Sequence, residues 1–229
     1  MKLINLKFGY NKNNLLIDNL NGQLLPNDLI VLYGFSGSGK TTLLNLIGGL
    51  LMPLDGKVEY NNISIYEQKF SKLCKYRSNT IGYSFQNFNL LDDFSVNENL
   101  NLAFMGGAKK DKVWANYLIE TLKIKLILNK KVHNISGGEK ERVSLVKAMI
   151  HKPEILLLDE PANSLNKELR QVVYDLIQEY VKKDNNICIM TTHDETLKEY
   201  YKLELIGKTV DVNIYSNGNN CENDIENNN

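Results

Sequence analysis

Gly34-Phe35-Ser36-Gly37-Ser38-Gly39-Lys40-Thr41 follows the apolar run Leu29-Ile30-Val31-Leu32-Tyr33 and leads into a helix-like run from Thr42 to Leu50. The stretch satisfies the pattern G-x-x-x-x-G-K-[ST] at every fixed position. A strand before it and a helix after it are the context in which that pattern is a phosphate-binding loop. Gly34, Gly37 and Gly39 let the backbone turn tightly and bring successive N–H groups toward a polyphosphate, where side chains would obstruct it. The helix start behind them adds unpaired donors and the positive end of a dipole. Lys40 is placed to reach β- and γ-phosphates as a point charge, and the Thr41 hydroxyl to ligate a Mg²⁺ ion between them. The alternative is a glycine-rich turn without a ligand.

Outward from this loop, two apolar runs end in polar groups. Ile155-Leu156-Leu157-Leu158 reads as a strand buried on both faces of a parallel sheet, and it delivers Asp159 and Glu160 at its carboxyl end. Residues 186–190 form a second such strand, ending in Thr191-Thr192-His193-Asp194. Ligands of open parallel sheets bind at these strand ends. Asp159 suits a Mg²⁺ site held through water, and Glu160 suits a base that orients or deprotonates a water attacking a γ-phosphate. A lone histidine is more often structural than catalytic, but His193 stands at a strand end beside the other two.

Between these parts the chain changes character. Its start alternates like edge strands, Leu3, Leu6 and Phe8 followed by Leu15 to Ile17 and Leu20 to Leu25, with a turn around Asn11 to Asn14. Tyr10, at the exit of the first strand, is either a base-stacking aromatic or an ordinary strand-end tyrosine. Residues 56–65 read as a hairpin turning at Asn61-Asn62, residues 67–76 as a short polar helix, and residues 80–85 as a strand ending at Gln86. From 87 to 134 strand signals vanish. Ser95-Val96-Asn97-Glu98 is a capping box, and Val113, Trp114, Tyr117, Leu118 and Leu122 recur at helical spacing. Phe88, Leu90, Leu91 and Phe94 at the entrance of this helical insertion are either core or a docking face for a partner's helix. Ser136-Gly137-Gly138-Glu139 precedes a helix reaching about His151. Leu169, Val172, Val173, Leu176, Ile177 and Tyr180 mark another amphipathic helix, and 203–206 and 210–215 read as closing strands.

Composition excludes several classes. The 27 Lys and Arg balance the 27 Asp and Glu, and no basic stripe marks a nucleic-acid surface. Cys74, Cys188 and Cys221 are too scattered for a metal cluster or a disulfide framework and suit a reducing cytoplasm. No apolar segment approaches the ~20 residues needed to cross a bilayer, so the expectation is a soluble chain with no span of its own. Residues 216–229, half of them Asn, read as a disordered tail. No N-K-x-D guanine-reading motif occurs.

Taken together in order and spacing, GFSGSGKT, ISGGE at Ile135 to Glu139, ILLLDE at Ile155 to Glu160 and TTH before Asp194 resemble the nucleotide-binding subunit of an ATP-binding cassette (ABC) transporter. The resemblance runs from about residue 1 to 215, and Ser136-Gly137-Gly138 is its most specific part. It implies an α/β phosphate-loop NTPase core with a mostly parallel sheet and an N-terminal antiparallel β-subdomain (1–86 and 135–215), and a helical insertion subdomain (87–134). It also implies that ATP and Mg²⁺ are bound by Tyr10, Gly34, Phe35, Ser36, Gly37, Ser38, Gly39, Lys40, Thr41 and Thr42, with Thr41, Gln86 and Asp159 on the metal side. Glu160 becomes the base, His193 the γ-phosphate sensor, and Gln86 the link to a membrane partner. Ser136, Gly137, Gly138 and Glu139 become the signature that completes a neighbouring subunit's site. Two positions depart from the pattern: Glu139 stands where the family usually has Gln, and Asn166 where the loop after Glu160 usually ends in Asp.

The function so implied is an ATPase that dimerises around two MgATP, as a homodimer or paired with another ABC subunit. It drives a separate transmembrane permease from the inner face of the cell membrane. FQNFNLLDDFSVNENL and EPANSLN look most like subunits serving lipoprotein release, macrolide efflux and bacteriocin export, hence an exporter of peptide, lipoprotein or drug. A signalling or structural subunit of the cell-division type is the alternative. A soluble ribosome-acting ABC ATPase would need a second cassette or a long coiled-coil insertion, and neither is present.

Overall fold

A computed structural model describes residues 1–11 and 14–193. In chain order these form β1 (Lys2–Phe8), β2 (Ile17–Gln23), β3 (Leu29–Leu32), α1 (Lys40–Ile47), β4 (Asp55–Tyr60), β5 (Ile63–Ser64), α2 (Phe70–Lys75), a π-helical turn (Tyr76–Thr80), β6 (Ile81–Ser84), α3 (Val96–Leu102), α4 (Lys112–Thr121), α5 (Gly137–Met149), β7 (Ile155–Asp159), α6 (Lys167–Asp184) and β8 (Ile187–Thr191). The closing strands expected at 203–215 and the tail at 216–229 lie outside the described residues.

Two sheets carry the architecture. The first is antiparallel in the order β2-β1-β4-β5, and the second parallel in the order β3-β8-β7-β6. The continuous apolar runs of the parallel strands have a direct cause, because each strand feeds two cores at period two. Leu156, Leu158, Cys188 and Met190 face the core built with α5 and α6. Ile155, Leu157, Ile187 and Ile189 face the core shared with α1 and the antiparallel sheet. Register then aligns the strand ends: Leu158 pairs with Met190, Asp159 with Thr191 and Ser84 with Leu158. All the chemistry-bearing residues at these ends therefore lie along one edge.

Side-chain caps fix the starts of α3, α4, α5 and α6. Ser95 and Glu98 form the expected capping box on α3, and Asp111 caps α4. Ser136 and Glu139 form a second capping box, on α5. Asn166 caps α6, its Oδ1 accepting the Leu169 N–H at 2.9 Å. Trp114 on α4 stacks on Tyr180 of α6 and donates its indole N–H to the Met149 carbonyl at 2.9 Å, locking the helices of the insertion to α5 and α6. Asn61 and Asn62 both adopt positive φ, as a two-residue hairpin turn between β4 and β5 requires.

Two expectations fail. β1 is not an edge strand, because β4 from farther along the chain pairs on its free side; alternation reports a half-buried face, not the number of neighbours. Val113, grouped with Leu118 and Leu122 at helical spacing, is 82% exposed while both of those are buried. At about 100° per residue it points away from them, and Trp114, four residues before Leu118, takes the inward face.

Candidate functional site

The carboxyl edge of the parallel sheet opens into a cleft of about 240 Å³. Tyr10, Ser36, Gly37, Gly39, Lys40, Thr41, Thr42, Gln86, Asp159, Glu160 and His193 line it, together with Leu16. Six separate segments of the chain thus converge.

The loop before α1 owes its shape to glycine. Gly37 and Gly39 have φ of 81° and 98°, values that side-chain-bearing residues rarely adopt. A Cβ on Gly37 would meet nothing within 4 Å, so its conformation, not crowding, calls for glycine there. Lys40 folds its ammonium back onto the carbonyls of Gly34 and Phe35 at 2.7 and 3.0 Å. Burial pushes this amine below the usual lysine range, against the opposing pull of Glu160 and Asp159. The Ser38 hydroxyl is buried and unpartnered, a donor without an acceptor inside a ring of backbone. A cradle with an orphaned hydroxyl, a buried cation and the start of α1 fits a polyphosphate.

Asp159 is held from two sides. Thr41 donates to its Oδ2 at 2.7 Å and Thr191 donates to its Oδ1 at 2.6 Å, tying α1, β7 and β8 together through one buried carboxylate. Thr191 also accepts the Glu160 N–H at 3.0 Å. That bond restrains Glu160 in the left-handed region, at φ 54°, a conformation that costs about 1–3 kcal/mol in a non-glycine residue and concentrates at functional sites. The Glu160 carboxylate contacts His193 Nε2 at 3.0 Å and accepts from Asn163 Nδ2 at 3.0 Å. Tyr10 is 73% exposed, its ring edge-on to Phe8 and its hydroxyl 3.3 Å from that of Thr42.

Not every expected residue is in the cleft. Phe35 is 90% exposed and contributes only its carbonyl, to Lys40. Ser136, Gly137, Gly138 and Glu139 do not line it. Ser136 and Gly137 face solvent, and a Cβ on Gly137 would meet nothing. Within the signature, the Glu139 carboxylate accepts from the Ser136 N–H and hydroxyl at 2.8 and 2.9 Å. These backbone and side-chain bonds hold it below the usual carboxylate range. Sequence reading missed this box, although Ser-x-x-Glu ahead of an apolar face was its signal. It placed Thr191 in the TTH motif but gave its hydroxyl no role. It also missed buried Glu141, whose carboxylate accepts the Ser164 N–H at 2.9 Å and ties α5 to the loop after Glu160.

Residues 17–163 match the ABC transporter family. The chain belongs to that family. As an ABC cassette it is an ATP-binding subunit and an ATPase, with a mixed α/β fold shared with known cassettes. It is 38% identical over 189 residues to HrtA of Staphylococcus haemolyticus, a protein named for hemin import, covering 80% of this chain and 84% of that one. It is 31% identical to the lipoprotein-releasing system ATP-binding protein LolD of Buchnera aphidicola, covering 86% and 89%. The dimeric bacterial cassette MJ0796 superposes with a TM-score of 0.84 at 26% identity over 92% of this chain and 96% of that one. The same cassette has been seen dimeric in a post-hydrolysis state with ADP and Pi, at a TM-score of 0.83. ATP-binding subunits of this family pair with transmembrane permeases. Among the described residues, no helix is long and apolar enough to cross a membrane.

Proposed function

We propose that this cassette closes as a dimer on two MgATP and uses their hydrolysis to drive a separate permease exporting peptide, lipoprotein or drug. The observation that carries the composite site is the division of parts. Lys40, Thr41, Asp159, Glu160 and His193 meet in one cleft, whereas Ser136 to Glu139 stand outside it at the start of α5, Ser136 and Gly137 exposed. One chain thus offers half a site twice.

In this reading Lys40 turns from its loop carbonyls to the β- and γ-phosphates, and the Ser38 hydroxyl finds its acceptor there. The described residues contain no cluster of three or more acidic, His or Cys ligands that could hold a metal. Mg²⁺ would therefore be held by Thr41, by Asp159 and Gln86 through water, and by the phosphates themselves, which is how this ion usually binds. When bound it neutralises charge on the transferring phosphoryl group. Glu160 accepts a proton from the water whose oxygen bonds to the γ-phosphorus as the β–γ bridging bond breaks, leaving ADP and phosphate. His193, no longer paired with Glu160, reaches the γ-phosphate. Tyr10 stacks on the base.

Export is favoured by the likeness to LolD, and import by the likeness to a cassette named for hemin import. The test of the site is Lys40→Ala. Hydrolysis is expected to fall at least about 100-fold, the usual scale for removing one preorganised charge stabiliser, with ATP binding strongly weakened in equilibrium dialysis. Wild-type turnover by the folded variant would overturn the assignment.

A further inference from the structure

The loop that joins β7 to α6, residues 161–166, is braced along its length. Ala162 and Leu165 are buried, and the Leu165 N–H meets the Ala162 carbonyl at 3.4 Å. Glu141, buried on α5, accepts the Ser164 N–H at 2.9 Å, and the Asn163 N–H bonds the same carboxylate. A Cβ on Gly138 would lie 3.3 Å from the Ser164 carbonyl, so the first turn of α5 presses on this loop as well. Asn166 closes it as the cap of α6. The backbone at Asn163 is therefore held from both sides, while its side chain is exposed.

That side chain turns back on Glu160, Nδ2 donating to Oε2 at 3.0 Å. An ionised carboxylate only accepts, so the amide must present its NH₂ group there. The other oxygen, Oε1, meets His193 Nε2 at 3.0 Å. Glu160 thus has one side-chain partner on each carboxylate oxygen, and Thr191 on its backbone N–H. A fixed backbone does not by itself aim the carboxylate, because the terminal torsion of a glutamate is broad and roughly two-fold. In the function proposed above His193 leaves Oε1 for the γ-phosphate. Only the contact on Oε2 then remains to set the direction in which Oε1 points.

We infer that Asn163 is a positioning residue for hydrolysis: its amide keeps hold of Glu160 Oε2 after His193 has left, so that Oε1 faces the attacking water. The inference rests on the reading of Glu160 as the base and adds the group that aims it. Asn163 does not line the nucleotide cleft; it lines a small cavity on the other side of Glu160 and His193, with Arg170 and Tyr174. Its amide therefore acts on the chemical step and not on the binding of ATP, and a change there lowers kcat without raising KM. Misdirection of a reacting group by even a fraction of its own length is costly, because the rate depends on a near-attack geometry.

The experiment measures steady-state ATP hydrolysis by the purified full chain carrying Asn163→Leu, which keeps the size and removes the donor, or Asn163→Asp, which sets a like charge against Glu160. Each should lower kcat at least about tenfold, with KM, ATP affinity by equilibrium dialysis and the urea midpoint unchanged. A double-mutant cycle supplies the readout that a structural role would not move. In the Glu160→Gln background, Asn163→Leu should change the residual single-turnover rate by less than about twofold, because the group it aims is already gone. A kcat near wild type in both single variants overturns the inference. So does a raised KM at unchanged kcat, a fall in kcat that follows a fall in the urea midpoint, or a loss that persists in full in the Glu160→Gln background. The two levels separate cleanly: wild-type hydrolysis by Glu160→Gln alone defeats the reading of Glu160 as the base, whereas a slow Glu160→Gln beside fast Asn163 variants defeats only this inference.

Discussion

Thr191, first residue of the TTH motif, joins two acids of the site, since its one hydroxyl donates to Asp159 and accepts from the Glu160 backbone. Thr191→Val keeps the shape and removes both bonds. It leaves a buried carboxylate oxygen and a backbone N–H short of partners, a loss of about 1–3 kcal/mol. Urea unfolding should show that loss, and hydrolysis should fall with it because Glu160 is no longer held in its left-handed conformation. At the signature, Glu139→Gln preserves the capping box, which accepts Gln at the same position. It removes a negative charge from beside the Ser136 hydroxyl, which in the proposed dimer meets the partner's γ-phosphate. ATP-dependent dimerisation should therefore tighten, read as a lower ATP concentration at half-maximal dimer by light scattering. Lys40, Thr41, Asp159 and Glu160 were legible in sequence because their motifs encode backbone context. The role of Thr191 was not, because the bond that matters crosses from β8 to β7, and a single strand's pattern does not contain its neighbour.

At the scale of elements, the departures from the family pattern turn out to be local caps. Asn166 stands where the family usually has Asp, yet Asn and Asp are equivalent helix caps, and Asn166 receives the Leu169 N–H as an Asp would. Asn166→Ala should cost about 1 kcal/mol in urea unfolding and Asn166→Asp almost nothing. A larger cost for Asp would show that the amide makes bonds beyond the cap. The strands β3, β7 and β8 could be read directly, since an unbroken apolar run bounded by turn residues admits few alternatives. Where the reading failed, the missing information was non-local. β1 carries the same alternation it would have as an edge. Val113 is a separate, local case, since about 100° per residue puts it on the face of α4 opposite Leu122.

For the whole molecule, the two cores on either face of the parallel sheet leave its carboxyl edge as the place where α1, β6, β7 and β8 present polar groups together. The signature is held outside that edge at the start of α5. The central claim is that ATP bridges two such chains, held by Lys40 of one and by Ser136 and the Gly137 and Gly138 amides of the other. Glu160→Gln removes the base while keeping the shape of the cleft, so the bridged state should accumulate instead of being hydrolysed. Size-exclusion chromatography with light scattering on that variant, with and without ATP, is the direct measurement. The account predicts a monomer that doubles its mass on addition of ATP and hydrolyses it at least about 100-fold more slowly than wild type; a variant that binds ATP yet stays monomeric, or that hydrolyses ATP at the wild-type rate, would contradict it.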